Sequence, residues 1–121
     1  GSASAMAAAA AVEMMGGSPE QCLDAASITI GNMLGLVCDP IAGLVEMPCQ
    51  SRNAAGASNA LTSAEMALAG IKSAVPFGEM SDAMYRVGRG LPAELRETAL
   101  GGCAATPTGC SLKCQIFGGC R

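Results

Sequence analysis

The chain has no histidine and no tryptophan, and its whole aromatic set is Phe77, Tyr85 and Phe117. Without imidazole, this chain alone builds neither His-dependent acid/base catalysis nor a Ser-His or Cys-His nucleophile, and a Cys/His zinc finger is excluded as well. Any metal held here must be held by sulfur or carboxylate. Charge is also scarce: 14% of residues are charged and the formal net charge is −3. A nucleic-acid partner wants clustered Lys/Arg and stacking platforms, and the chain offers neither. The most apolar uncharged stretch, Ala25 to Cys38, is interrupted by Asn32 and falls short of the roughly 18 to 20 residues that span a bilayer. It reads as a buried helix, and no membrane association is expected. No basic n-region or secretory cleavage pattern opens the chain, so a cytoplasmic, reducing compartment is the default expectation.

At 121 residues the chain is one domain's worth, able to bury roughly two thirds of its surface in a single compact unit. Hydrophobic residues make up 50% of it, supplied by Ala, Leu, Met, Ile and Val, with Gly at 16 positions. Small side chains let helix backbones approach closely, so the core should be dense but low in bulk. Met14, Met15, Met33, Met47, Met66, Met80 and Met84 read as core filler, since an unbranched thioether adapts to irregular gaps. Seven cysteines are present, an odd number that cannot pair fully within one chain. In a reducing compartment they read as thiols or metal ligands and not as a disulfide framework.

Two of the cysteines stand out. Cys38 precedes Asp39-Pro40 and Cys49 follows Pro48, so both thiols fall at turns, where the residue before proline is pushed out of the helical region. Rigid loops aim ligands well, and chemistry is expected between Gly35 and Asn53. On spacing alone, however, C-x10-C is no recognised ligand pattern, and two ordinary buried thiols remain open as a reading.

The rest of the chain reads as helix. Ser2 to Met15 is Ala-rich and stops at Gly16-Gly17, a helix C-terminal signal. Ser18-Pro19-Glu20-Gln21 then sets a Ser cap, Pro at the first helical position and Gln three residues after the cap, opening a helix expected to run toward Leu36. Gly31 and Gly35 would lie on one face of it as a flat packing strip. Arg52 to Ala69 and Glu79 to Val87 are helical by pattern, with a connector from Ile71 to Gly78, and a shorter helix is expected from Pro92 to Leu100. From Gly101 onward the chain reads as loop with one terminal turn around Leu112 to Phe117. No period-2 run is long enough for a sheet. The expected fold is all-α, a compact bundle of about five helices with a cysteine-bearing loop, divided into a helical part over 1–102 and a Cys/Gly-rich tail over 103–121.

Four motifs, in order, carry a resemblance: NMLGLVCDPIAGLVEMPCQSRN from Asn32 to Asn53, MALAGI from Met66 to Ile71, AMYRVGR from Ala83 to Arg89, and LPAELRETALGG from Leu91 to Gly102. Together they resemble the α subunit of bacterial iron-sulfur-dependent L-serine dehydratases, in its C-terminal part. The opening GSASAMAAAA also matches, which implies that Gly1-Ser2 is native sequence. The resemblance implies an L-serine ammonia-lyase of amino-acid catabolism and gluconeogenesis, converting L-serine to pyruvate and ammonia. Its cofactor would be a [4Fe-4S] cluster held by three cysteines, with the fourth iron free as a Lewis acid for the serine hydroxyl. Cys38 and Cys49 match two of the ligands, while the third is expected in a Gly-Cys-Gln segment preceding Gly1. The partners implied are L-serine, the remainder of the α subunit and the β subunit or domain, and the segment by itself is expected to be inactive.

Around those ligands, Asp39 is a candidate to orient a ligand or a substrate ammonium, although Asp-Pro is equally a turn opener. Arg52 is a candidate two-pronged donor to the substrate carboxylate, with Asn53 assisting; otherwise the two are a solvent-facing pair at a helix start. Arg86, Arg89 and Arg96 with Glu94 and Glu97 read as a solvated face. Cys22 reads as a small buried residue. The tail cysteines Cys103, Cys110, Cys114 and Cys120 are spaced C-x6-C-x3-C-x5-C, which matches no ferredoxin or zinc pattern, and in the family these positions are mostly not cysteine. The resemblance leaves Cys120 as a candidate tail ligand to the free iron. Two other classes stand beside the lyase: a small standalone cysteine-rich metal-binding or redox protein using the tail thiols, and a helical interaction module without metal. The general base is not identified by any residue pattern.

Overall fold

A computed structural model describes residues 1–119. Among these residues the fold is all-α: α1 Ser2–Met14, α2 Pro19–Gly31, α3 Cys49–Leu68, α4 Phe77–Gly90 and α5 Pro107–Phe117, with short 3-10 turns at Ile41–Gly43, Ala93–Leu95 and Gly102–Ala105. The sole extended pairing among them is an isolated bridge between Cys38 and Arg96. No helix of the described residues is long and apolar enough to cross a membrane.

The chain divides into two units, Gly1–Leu36 with Ala54–Arg89, and Val37–Asn53 with the described part of Gly90–Arg121. In the first, small residues do the packing. Ala8, Val12, Ala25, Ala60, Ala64 and Ala67 form one buried cluster, and Ala5, Ala26, Ile30 and Met80 another. Gly17 shows why a small residue is needed, since an added Cβ there would lie 2.4 Å from Val12 Cγ1; the Gly56 carbonyl accepts the Ser4 hydroxyl of α1. Polar residues inside this unit are paired. The Ser27 hydroxyl donates to the Val75 carbonyl at 2.7 Å and Thr29 to the Ala25 carbonyl at 2.8 Å, as buried hydroxyls require. Between α1 and α2 the chain reverses through a capping box, with the Ser18 N–H donating to Gln21 Oε1 at 2.9 Å and the Gln21 N–H to Ser18 Oγ at 3.3 Å.

Several boundaries differ from the pattern; α3 opens at Cys49 and not at Arg52, and α4 spans Phe77–Gly90 and not only Glu79 to Val87. The second helix ends at Gly31 and not at Leu36, because the chain tightens into short-range bonds (Met33 N–H to the Ile30 carbonyl, Leu36 N–H to the Met33 carbonyl) and Gly35 turns left-handed at φ +77°. Gly31 and Gly35 therefore do not share a helical face. The segment Pro92 to Leu100 holds only the 3-10 turn Ala93–Leu95, since Leu95 and Glu97 bond to Cys38 and Glu97 and Ala99 take positive φ. The tail, in contrast, is more ordered than a single turn. Thr106 caps α5 by accepting the Gly109 N–H at 3.0 Å, Pro107 occupies the first position, and Gly118 ends the helix at φ +71°, the usual proline-start and glycine-stop asymmetry.

Candidate functional site

All the candidate residues of the cysteine loop lie in the second unit. Cys38 is exposed at its side chain while its backbone is held on both sides: its N–H donates to the Leu95 carbonyl at 2.9 Å, and its carbonyl accepts the Glu97 N–H at 2.7 Å. Both hydrogen bonds fix the peptide groups flanking the Cys38 α-carbon, so the sulfur is presented from a rigid position without being buried. Cys49 is half-buried as the first residue of α3, directly after a cis Met47–Pro48 bond. Both cysteines are free thiols. Partial burial, the Glu97 carboxylate, and the neighbouring Cys49 and Asp39 push the Cys38 thiol up, against a weaker pull from Arg52.

Asp39 is only 2% exposed. Its two oxygens are both engaged: Oδ1 pairs with Arg52 Nη1, and Oδ2 accepts the Cys103 N–H at 2.6 Å. Burial raises the pKa of this carboxyl, yet the Arg52 and Cys103 hydrogen bonds together outweigh burial and hold it below the usual carboxylate range. The group is an anion at neutral pH. Arg52 in turn donates from Nη1 to the Val37 carbonyl at 3.1 Å, and its pairing with Asp39 raises its own pKa. Among the described residues, these bonds involve one guanidinium nitrogen, and no acceptor holds Nη2 or Nε. Part of the donor fork therefore remains available to a planar anion such as a carboxylate. Asn53 is exposed on the same first stretch of α3.

Two residues join this site that the sequence does not attach to it, Gly102 at the end of LPAELRETALGG and the tail cysteine Cys103. Gly102 sits at φ +57°, and a Cβ there would fall on the Asp39 carboxylate. The Cys103 thiol is pushed up, first by its hydrogen bond to Asp39 and then by burial. The available signal was the paired glycines closing LPAELRETALGG, since an isolated Gly-Gly marks either a turn or a close approach. Of the remaining candidates, Arg96 and Glu97 border the site through the backbone pairing with Cys38. Arg86, Arg89, Arg96, Glu94 and Glu97 are exposed, as a solvated face requires. Cys22 is half-buried in the first unit, with its Sγ 3.8 Å from Glu13 Oε2. Cys120 lies outside the described residues. Among the described residues, no three of His, Cys, Asp or Glu converge into a set able to hold a metal ion.

Comparison with known proteins gives a consistent result. Residues 1–104 match the family model of the serine dehydratase alpha chain. The chain is 65% identical over 119 residues to a probable L-serine dehydratase alpha chain of Bacillus subtilis, covering 98% of this chain and 40% of that relative. It is 62% identical over 113 residues to the L-serine dehydratase alpha chain of Peptoniphilus asaccharolyticus, covering 93% of this chain and 39% of the relative. With L-serine dehydratase 1 of Escherichia coli, the identity is 44% over 105 residues, or 86% of this chain and 23% of the relative. The chain thus spans well under half the length of these relatives.

Proposed function

The chain belongs to the serine dehydratase alpha chain family, and on that premise we propose that it is part of an iron-sulfur L-serine ammonia-lyase that converts L-serine to pyruvate and ammonia. The observation that carries this reading is the pair of free thiols, Cys38 and Cys49, on a loop whose backbone is pinned beside an anchored arginine. Thiolates are the donors iron-sulfur clusters use, and these two fit as members of a ligand set. The third ligand of the set is a cysteine in a Gly-Cys-Gln segment preceding Gly1, and the remainder of the α subunit and the β subunit or domain are the partners of this chain. When bound, a [4Fe-4S] cluster with one open iron supplies Lewis acidity toward the departing hydroxyl of serine.

The protein side of the reaction follows from the residues. Dehydration removes the α-proton and the β-hydroxyl of L-serine as water, and the resulting aminoacrylate hydrolyses to pyruvate and ammonia. Arg52 receives the substrate carboxylate through the part of its guanidinium not committed to Asp39 and Val37, and Asn53 contributes an amide from the same helical turn. Fixing the carboxylate at a charged two-pronged donor holds the α-carbon and the hydroxyl in one orientation, which lowers the entropic part of the barrier. Cys38 and Cys49 hold their sulfurs from backbone positions that substrate binding does not need to rearrange.

Anaerobic iron and sulfide analysis of the full-length enzyme carrying this chain, with visible absorption, tests the reading. Cys38→Ser and Cys49→Ser should each abolish the iron-sulfur absorption, and Cys103→Ser and Cys110→Ser should keep it. Absorption lost only in the tail variants would favour a small cysteine-rich metal or redox protein instead.

A further inference from the structure

We propose that Asp39 is a positioning residue that holds Arg52 in its substrate-binding orientation and does not itself meet the substrate. The carboxylate is enclosed from three directions. Oδ1 pairs with Arg52, Oδ2 accepts the Cys103 N–H at 2.6 Å, and the α-carbon of Gly102 packs so closely that an added Cβ would lie 2.7 Å from Cγ and 2.8 Å from Cβ of Asp39. At 2% exposure, it has neither a lone pair facing solvent nor room to rotate toward a ligand. What it can do is act through Arg52. An arginine side chain has several freely rotating torsions, and an unanchored one at a helix start samples many directions. Here Nη1 is fixed at two points, Asp39 Oδ1 and the Val37 carbonyl, so the guanidinium plane is set before any substrate arrives. The Gly102–Ala105 turn is the backing of this device: the Cys103 N–H and the missing Gly102 side chain keep the carboxylate from swinging away.

The proposal rests on the reading of Arg52 as the binder of the substrate carboxylate, and two measurements separate the two ideas. In the cluster-free protein, the rate at which phenylglyoxal modifies Arg52, followed by peptide mass spectrometry, reports how firmly the guanidinium is held without reference to serine. Asp39→Asn keeps the shape and an oxygen for the Cys103 N–H but turns a donor toward Arg52. It should speed the modification about tenfold, the size expected for losing one charge-assisted hydrogen bond; an unchanged rate overturns the proposal. In the full-length enzyme, Asp39→Asn and Arg52→Lys should each raise KM for L-serine about tenfold, with iron content and visible spectrum retained, and the double variant should be no worse than either alone. Multiplicative effects in the double variant also overturn it. Should Arg52→Lys leave KM unchanged while Asp39→Asn still frees Arg52, the carboxylate-binding role falls and the mechanical coupling stands. If Asp39→Asn does not fold, Gly102→Ala perturbs the carboxylate from the opposite side and should speed Arg52 modification in the same direction.

Discussion

The two units of the chain are held together by different physics. In the first, the buried apolar side chains are mostly Ala, with Val12, Ile30 and Met80 as the larger members, and the buried hydroxyls Ser4, Ser27, Thr29 and Ser63 are neutral groups within that small-residue packing. In the second, the Asp39 carboxylate ties the cysteine loop to the turn at Gly102–Ala105, and most of the apolar side chains, Val45 at 70% and Met47 at 56% exposure among them, face outward. A core of small residues gives many weak contacts, so losing one is graded. A buried carboxylate with two partners gives few strong contacts, so losing it is abrupt, but it also sets side-chain direction, which a methyl cannot. The unit with the directional network is the one that carries the candidate chemistry.

Substitutions sharpen or break this contrast, best followed by chemical denaturation with hydrogen exchange to assign the loss to one unit. Gly102→Ala combines a left-handed backbone with a methyl on the Asp39 carboxylate and should cost about 4 kcal/mol. Its control is Gly16→Ala, where φ is +79° and nothing lies within 4 Å, and where strain alone should cost about 1 kcal/mol. Similar costs at the two glycines would remove the carboxylate from the account. Asp39→Ala strands Arg52 and the Cys103 N–H, and about 3 kcal/mol should be lost, with exchange at the Cys103 amide accelerated. In the first unit, Val12→Ala at a fully buried position should cost about 2 kcal/mol through the cavity it leaves. Ser18→Ala removes the cap of α2 and should cost about 1 kcal/mol. A Val12→Ala loss larger than that of Asp39→Ala would invert the comparison.

The first unit was the more legible of the two because its signals are local. Gly16-Gly17 stops α1, and Ser18 with Gln21 starts α2 through bonds three residues apart. The start of α3 was read three residues late, at Arg52, because Pro48 obscures a turn that opens at Cys49. The second unit depends on partners far apart in sequence. Pro92 to Leu100 has helical composition, yet Leu95 and Glu97 give their backbone groups to Cys38, and nothing in the residues themselves announces that exchange. Cys38, Cys49, Asp39 and Arg52 stood out through prolines and a motif. Gly102 and Cys103 gained their meaning only when the fold laid them against Asp39. The helix at Pro107–Phe117 was readable in principle, since Thr106-Pro107 and Gly118 are ordinary start and stop residues; the density of Gly, Thr and Cys masked them.

The most direct test of the central claim is the iron and sulfide content of the anaerobically prepared full-length enzyme, compared between the parent and the Cys38→Ser and Cys49→Ser variants. The account expects iron, sulfide and visible absorption to be lost together in each variant while helix content by circular dichroism is unchanged. Full retention of iron and sulfide in both variants would contradict it.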